Sequence, residues 1–315
     1  MAWTPVSRTT EKRSLLRLPL SMADFEKRGF RTDRPDGRAV LELHARSFLA
    51  GFNHATASWR DPHEALATVP DEERGFAYEG AGMFAGILDL ATAGRARALD
   101  RLLAGPGAAY THLVHVGAGW FFTVARVSAV PKLPSTPLLR WLALDGSGFG
   151  EVYFGGLPAL YRRARRKPSP RWEARMAGCG RALWFVESAD AEGVATVIRK
   201  AAQPAQPHLW AGVGLALAYA GATDDAGRDR LVDAAGPHRA HLSQGVVFAV
   251  GARFRSGIVP AHTERACAQL LDVDVAQAAA WTDDTSTDLG GTSDVGSYLR
   301  WKARLRALIA RQSRT

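Results

Sequence analysis

Two kinds of segment alternate along the chain. One is apolar nearly all round and rich in Gly and Ala; Ala104–Ala125 carries no Asp, Glu, Lys or Arg, and Leu209–Ala222 is similar. The other is polar and contains Arg and Asp, as in Ala191–Lys200 and Gly227–Ala235. A Gly-x-Gly pair recurs in the apolar segments at Gly80/Gly82, Gly117/Gly119, Gly146/Gly148, Gly178/Gly180 and Gly212/Gly214, and Gly51 and Gly245 extend the series. First glycines are 29 to 37 residues apart, a period of about 32. Such a period predicts helical hairpins, each of two helices and two turns. The second helix is amphipathic: Val194, Val197 and Ile198 have the i, i+3, i+4 spacing of one face. Asp190, and Asp224 or Asp225, stand where N-caps belong. A βαβ protein with strands such as Arg181–Val186 competes with this reading, but the runs lack period-two alternation and are poor in Val and Ile. The expected fold is all-α, built of helical-hairpin repeats in a solenoid or a compact bundle.

Three regions fall outside the pattern. Residues 1–38 read as an N-terminal arm ending in a turn at Arg34-Pro35-Asp36-Gly37. Three prolines in Pro131–Pro137 predict a rigid loop inside the repeat domain, residues 39–282. Residues 283–296, rich in Asp, Thr, Ser and Gly, predict a flexible linker. Beyond them, in residues 297–315, Tyr298, Trp301, Leu305, Leu308 and Ile309 share one face of an amphipathic helix, with arginines opposite.

Composition narrows the function classes. The 315 residues are 47% hydrophobic and 23% charged, which excludes bulk disorder and collagen. Two cysteines, Cys179 and Cys267, exclude a disulfide scaffold and read as reduced thiols, so a cytoplasmic setting is expected. The net charge of +9 comes mostly from arginine, 34 of the 40 basic residues. These are spread along the chain, and the dense run from Arg162 to Arg171 meets Pro168 and Pro170, so it reads as a solvated loop. Without aromatic interleaving or a helix-turn-helix pattern, no nucleic-acid partner is expected. Neither a signal peptide nor a membrane span is expected, because the apolar runs are short or broken by Gly, Pro and His.

Familiar catalytic signatures fail on context. Gly80-x-Gly82-x-x-Ala85 resembles a dinucleotide fingerprint, yet a polar stretch, Asp71–Glu79, precedes it instead of a strand. Packing glycines are the simpler reading. Ser147 lacks a nucleophile elbow, and Cys179 between two glycines reads as a small packing residue. The pairs His112/His115 and His238/His241 lack a third ligand, and Asp283, Asp284 and Asp288 miss the calcium-loop spacing. No metal and no cofactor are expected.

Two carboxylates stand out. Glu79 and Asp145 are each the lone acid of an apolar segment. Burying a charge costs several kcal/mol unless it is paired or neutralised. Each is therefore either half of an ion pair or functional, with Arg181 and Arg253 as candidate partners.

The segments Arg74-Gly75-Phe76-Ala77-Tyr78-Glu79-Gly80-Ala81, Trp141-Leu142-Ala143-Leu144-Asp145-Gly146, Leu209-Trp210-Ala211-Gly212-Val213-Gly214 and Pro260-Ala261-His262-Thr263 resemble a bacterial family labelled domain of unknown function 1702. The resemblance spans about residues 24 to 275. Members of that family sit in gene clusters for enediyne antitumour polyketides, which implies antibiotic biosynthesis, a cytoplasmic setting and a polyene or enediyne-related ligand. It implies no reaction and transfers no catalytic residues. The resulting expectation is an accessory protein or enzyme holding an apolar polyketide intermediate in a helix-lined groove. Glu79 and Asp145 would be catalytic; Tyr78, His115, Trp120, Arg181, Trp184, Trp210 and Arg253 would bind the ligand. The alternative is a non-catalytic binder or scaffold that protects the intermediate or assembles other pathway proteins.

Overall fold

The computed structural model describes residues 16–125 and 137–312. Among them the secondary structure is helical throughout, without strands. In chain order the helices are α1 (Phe25–Arg28), α2 (Pro35–Ala57), α3 (His63–Ala67), α4 (Asp71–Ala91), α5 (Ala98–Leu103), α6 (Thr111–Ala125), α7 (Leu142–Ala164), α8 (Pro170–Val186), α9 (Ala191–Lys200), α10 (Gln206–Ala220), α11 (Asp225–Ala235), α12 (Arg239–Ser256), α13 (Ala261–Leu271), α14 (Val275–Ser286) and α15 (Val295–Gln312). The long helices α2, α4, α6, α7, α8, α10 and α12 pack side by side in that order, and α14 and α15 cover α12. Shorter helices α3, α5, α9, α11 and α13 connect them. No separate helix joins α7 to α8. Instead α7 breaks at Gly156, whose φ of +61° favours glycine, and Pro158 follows.

Helix ends follow from local chemistry. The carboxylates of Asp190, Asp224 and Asp274 accept backbone N–H bonds from Gly193, Gly227 and Gln277, and Ser169 accepts one from Trp172. Prolines open α2, α8 and α10. The turn expected at Arg34–Gly37 is thus a helix start: Pro35 has no N–H to satisfy and its fixed φ suits the first turn.

The paired glycines set how closely the long helices approach. Two residues turn the helix by about 200°, so the members of each pair face opposite neighbours. A Cβ on Gly117 would overlap the Glu79 carbonyl of α4, and one on Gly119 the Ala143 carbonyl of α7. Gly146 and Gly148 meet Val116 and Arg175 in the same way, and Gly178 and Gly180 meet Asp145 and Leu209. Each inner helix of the row, α4 to α10, is therefore bound backbone-to-backbone to the one before and the one after, which fixes its axial position and rotation.

The flanks are docked. Residues 18–30, assigned to the arm by sequence, pack on α2 and α8: Phe25 N donates to Glu42 Oε1 at 2.9 Å and Arg31 N to the Val186 carbonyl at 2.9 Å. The flexible linker expected at 283–296 begins inside α14, and Leu289 is buried against Tyr298 and Trp301. Burial of Leu289 is what holds it. In α15, Tyr298, Trp301, Leu305 and Ile309 are buried, and so is Lys302. Arg162 and Arg163 lie in α7, where Arg163 pairs with Glu151 at 2.7 Å, rather than in a solvated loop. The expected proline loop lies outside the described residues but for Pro137.

Candidate functional site

Close glycine contacts also place the polar side chains. Glu79 precedes Gly80, Trp120 follows Gly119, Asp145 precedes Gly146 and Arg181 follows Gly180. Each stands beside a point of closest helix approach, and all four turn inward. Glu79 Oε1 accepts from Trp120 Nε1 at 2.9 Å and from both terminal nitrogens of Arg181 at 3.3 and 3.4 Å. Arg181 Nε donates to Asp145 Oδ1 at 2.9 Å. The guanidinium lies over the Phe149 ring, 4.5 Å from its centroid. Glu79, Asp145 and Arg181 are 2%, 3% and 7% exposed.

Two carboxylates thus share one guanidinium in a dry interior. Burial raises the proton affinity of Glu79; Arg181 and the Trp120 hydrogen bond oppose this, and Asp145 reinforces it. Burial also weakens the charge on Arg181, but the two carboxylates outweigh it and raise its pKa. With both acids ionised the trio carries one surplus negative charge, so a single proton neutralises it.

Glu79 and Arg181 form one wall of a partly open cavity of about 400 Å³ bordered by α2, α4, α6, α7, α8 and the segment 18–28. Phe48, Phe76, Met83, Trp120, Phe149 and Phe185 make most of the surface. Glu79, Arg181, His44, Arg28 and Tyr153 supply the polar groups. Glu79 Oε2, unlike Oε1, takes no hydrogen bond among the described residues. Segment 18–28 is tied down by a reciprocal pair of bonds between the Leu18 backbone and the Asn53 amide, at 2.8 and 2.9 Å. Arg28 lies over both the Tyr153 and Phe154 rings, 4.9 Å from each centroid. On the far side of Arg181 a smaller cavity of about 60 Å³ lies among α6, α7, α8, α10, α12 and α15, with Asp145, Tyr298 and Lys302 in its wall.

Of the residues singled out by sequence, Glu79, Trp120 and Arg181 meet at the larger cavity, and Asp145 reaches it only through Arg181. The other five lie away from it. Tyr78 is one position and so about 100° round from Glu79; it stacks on Tyr110 at 4.2 Å, and its hydroxyl is 3.0 Å from His63 Nδ1. Trp184 is fully buried and donates to the Gly221 carbonyl at 3.0 Å. Trp210 is a core residue. Arg253 donates to the carbonyls of Glu72 and Tyr219 at 2.8 and 2.6 Å, joining α12 to α4 and α10. His115 is buried outside both cavities, where desolvation pulls its pKa down to about 4. Sequence reading missed Leu18, Met22 and Arg28, which wall the cavity. Their only signal was the apolar spacing of Leu18, Met22 and Phe25 around Asp24.

Among the described residues, no group of three or more His, Cys, Asp or Glu is placed to hold a metal, and no helix is long and apolar enough to cross a membrane. Burial pushes the Cys179 thiol pKa far up, which removes its nucleophilic form.

Fold and site together define an all-helical protein with a partly open apolar cavity whose polar end is a buried Glu–Arg–Asp cluster. Residues 8–309 match the family described as "Protein of unknown function (DUF1702)", and the chain belongs to that family. No curated protein and no solved structure matches it significantly.

Proposed function

We propose that the chain holds an elongated, mainly apolar small molecule in the larger cavity and acts on it in enediyne polyketide biosynthesis, as an enzyme or enzyme-like accessory protein. The observation that carries this reading is the open Oε2 of Glu79 in an otherwise aromatic wall. A cavity of this size and lining suits a small organic ligand with one polar feature. The family resemblance supplies the ligand class, a conjugated polyene intermediate. Glu79 is the group for proton transfer, because burial raises its proton affinity while Arg181 and Trp120 fix its other oxygen. The Trp120 ring, which lines the same cavity, would stabilise positive charge developing on a protonated polyene.

The second reading is a binder that shields the intermediate without changing it. It is favoured by the closure of the trio around Arg181, the arrangement of a structural ion pair. Deleting the gene and following the accumulated intermediates by mass spectrometry separates the two. A changed carbon skeleton, restored by the native gene but not by Glu79→Gln, supports chemistry. Lower yield of an unchanged skeleton, restored equally by both, supports shielding. Absence of any effect on a polyene pathway, together with no quenching of tryptophan fluorescence by a linear polyene, removes both.

A further inference from the structure

We propose that Lys302 is the nucleophile of a second site, on the outer side of α15, that takes a small carbonyl compound carrying a carboxylate and holds it as an imine. The proposal is independent of the function assigned to the larger cavity. Lys302 lies between two spaces: it walls the small inner cavity beside Asp145 and Tyr298, and it also borders a groove of about 300 Å³ along α15, α8 and α10. It is 4% exposed. Its Nζ makes no ion pair or hydrogen bond among the described residues and lies over the Tyr298 ring, 5.4 Å from the centroid. A ring face compensates a buried ammonium less fully than a carboxylate bonded to it would, and a purely structural role would be filled better by an apolar side chain.

The surrounding titratable and charged groups are Asp145 on α7, Glu173 and Arg181 on α8, His208 on α10, His241 on α12, His112 on α6, and Arg300 and Arg306 on α15. Burial pulls the Lys302 pKa down to about 8, with Arg306 assisting and Asp145 and Glu173 opposing. A larger share of the amine is therefore neutral near pH 7 than for an exposed lysine. Arg300 and Arg306 line the groove with Glu173; Arg300 lies 3.8 Å from Asp294, which leaves Arg306 as the cation that favours an anionic ligand. In the step itself the Nζ lone pair attacks the carbonyl carbon. The carbonyl oxygen leaves as water with the two amine protons, and a C=N bond replaces C=O. No oxidant or reductant is consumed.

The test uses the native full-length protein, glyoxylate as probe and cyanoborohydride to trap the imine, with peptide mapping at short times. Lys12, Lys27, Lys132, Lys167 and Lys200 serve as internal standards. Lys302 is expected to acquire its carboxymethyl group about tenfold or more faster than the exposed Lys27 and Lys200. Labelling at or below their rate overturns the proposal. Acetaldehyde, which lacks the carboxylate, is the second arm. A preference for Lys302 over the standards that is several-fold smaller than with glyoxylate supports the anionic class, and an equal preference overturns it.

Discussion

Replacing Arg181 by methionine tests the central electrostatic claim. Methionine keeps an unbranched apolar stem and removes the only cation bonded to Glu79 and Asp145 among the described residues. Two carboxylates would then share a dry site. Breaking a buried pair by removing one partner costs about 3–5 kcal/mol, most of it from the stranded charge. The cost should depend on pH with a definite sign. In the variant the pKa of Glu79, which burial already raises, climbs further above its unfolded value of about 4. The folded state then binds more protons than the unfolded state, and stability falls as pH rises through that window, by about 1.4 kcal/mol per pH unit. Urea unfolding followed by far-UV circular dichroism, wild type against variant at pH 5 and pH 8, reads the difference directly. The deficit should be larger at pH 8, and adding Glu79→Gln and Asp145→Asn should recover most of it. Glu79→Gln alone should cost only about 1 kcal/mol, because Arg181 keeps Asp145 and the amide oxygen still accepts from Trp120. A pH-independent loss below about 1 kcal/mol for Arg181→Met would refute the shared-cation reasoning.

Three further outcomes follow from the same geometry. Gly214→Ala puts a methyl group into the Leu242 carbonyl of α12 and should lower the melting temperature by the equivalent of about 1–3 kcal/mol, whereas Gly290→Ala, with open space around it, should be nearly neutral. Buried His115 and half-buried His208, with pKa values pulled down by desolvation to about 4 and about 3, stay neutral in the folded state and protonate on unfolding. Stability measured by urea titration should therefore drop below about pH 6.5 by about 1.4 kcal/mol per unit for each, and a flat profile from pH 7 to pH 5 would contradict their burial. Trp120→Phe removes the indole donor to Glu79 and should cost about 1–2 kcal/mol, while circular dichroism shows an unchanged helix content.

Much of the helical frame was legible because its cause is local. Small residues that recur in apolar segments have few other uses, so Gly80 and Gly82 could be read as packing positions instead of a phosphate loop, and the backbone contacts to Phe48 and Val114 show why. Glu79 and Asp145 were visible as lone acids for the same reason: nothing near them in sequence could neutralise them. What sequence could not supply was rotation and long-range partnership. Tyr78 and Glu79 look equivalent in a segment apolar all round, yet about 100° of helix separates the cavity wall from the Tyr110 stack. Arg253 and Arg181 likewise look alike, but Arg253 finds backbone carbonyls where Arg181 finds carboxylates. The arm's place in the cavity depends on contacts such as Phe25 with Glu42 and Arg31 with Asp190, which no local pattern encodes. Lys302 sits one position from Trp301 in a helix rich in arginine, and its burial appears only once α15 is docked.

Arg181 stands in the walls of both cavities, which makes the two sites electrostatically dependent. Glu79 and Asp145 contribute two negative charges, Arg181 and Lys302 two positive ones, so this group of four is neutral when all are ionised. Removing the charge of Lys302, by deprotonation or by a neutral imine, leaves the Glu79–Arg181–Asp145 trio with its surplus negative charge and less compensation. The favoured response is proton uptake at Glu79, the acid whose proton affinity burial already raises. Linkage requires the converse as well: a ligand in the larger cavity that protonates Glu79 reduces the stabilisation of the Lys302 ammonium and makes its amine more nucleophilic. Burial of Glu79, Asp145, Arg181 and Lys302, each less than a tenth exposed, gives this coupling its strength, because charges at such sites are screened less than at the surface.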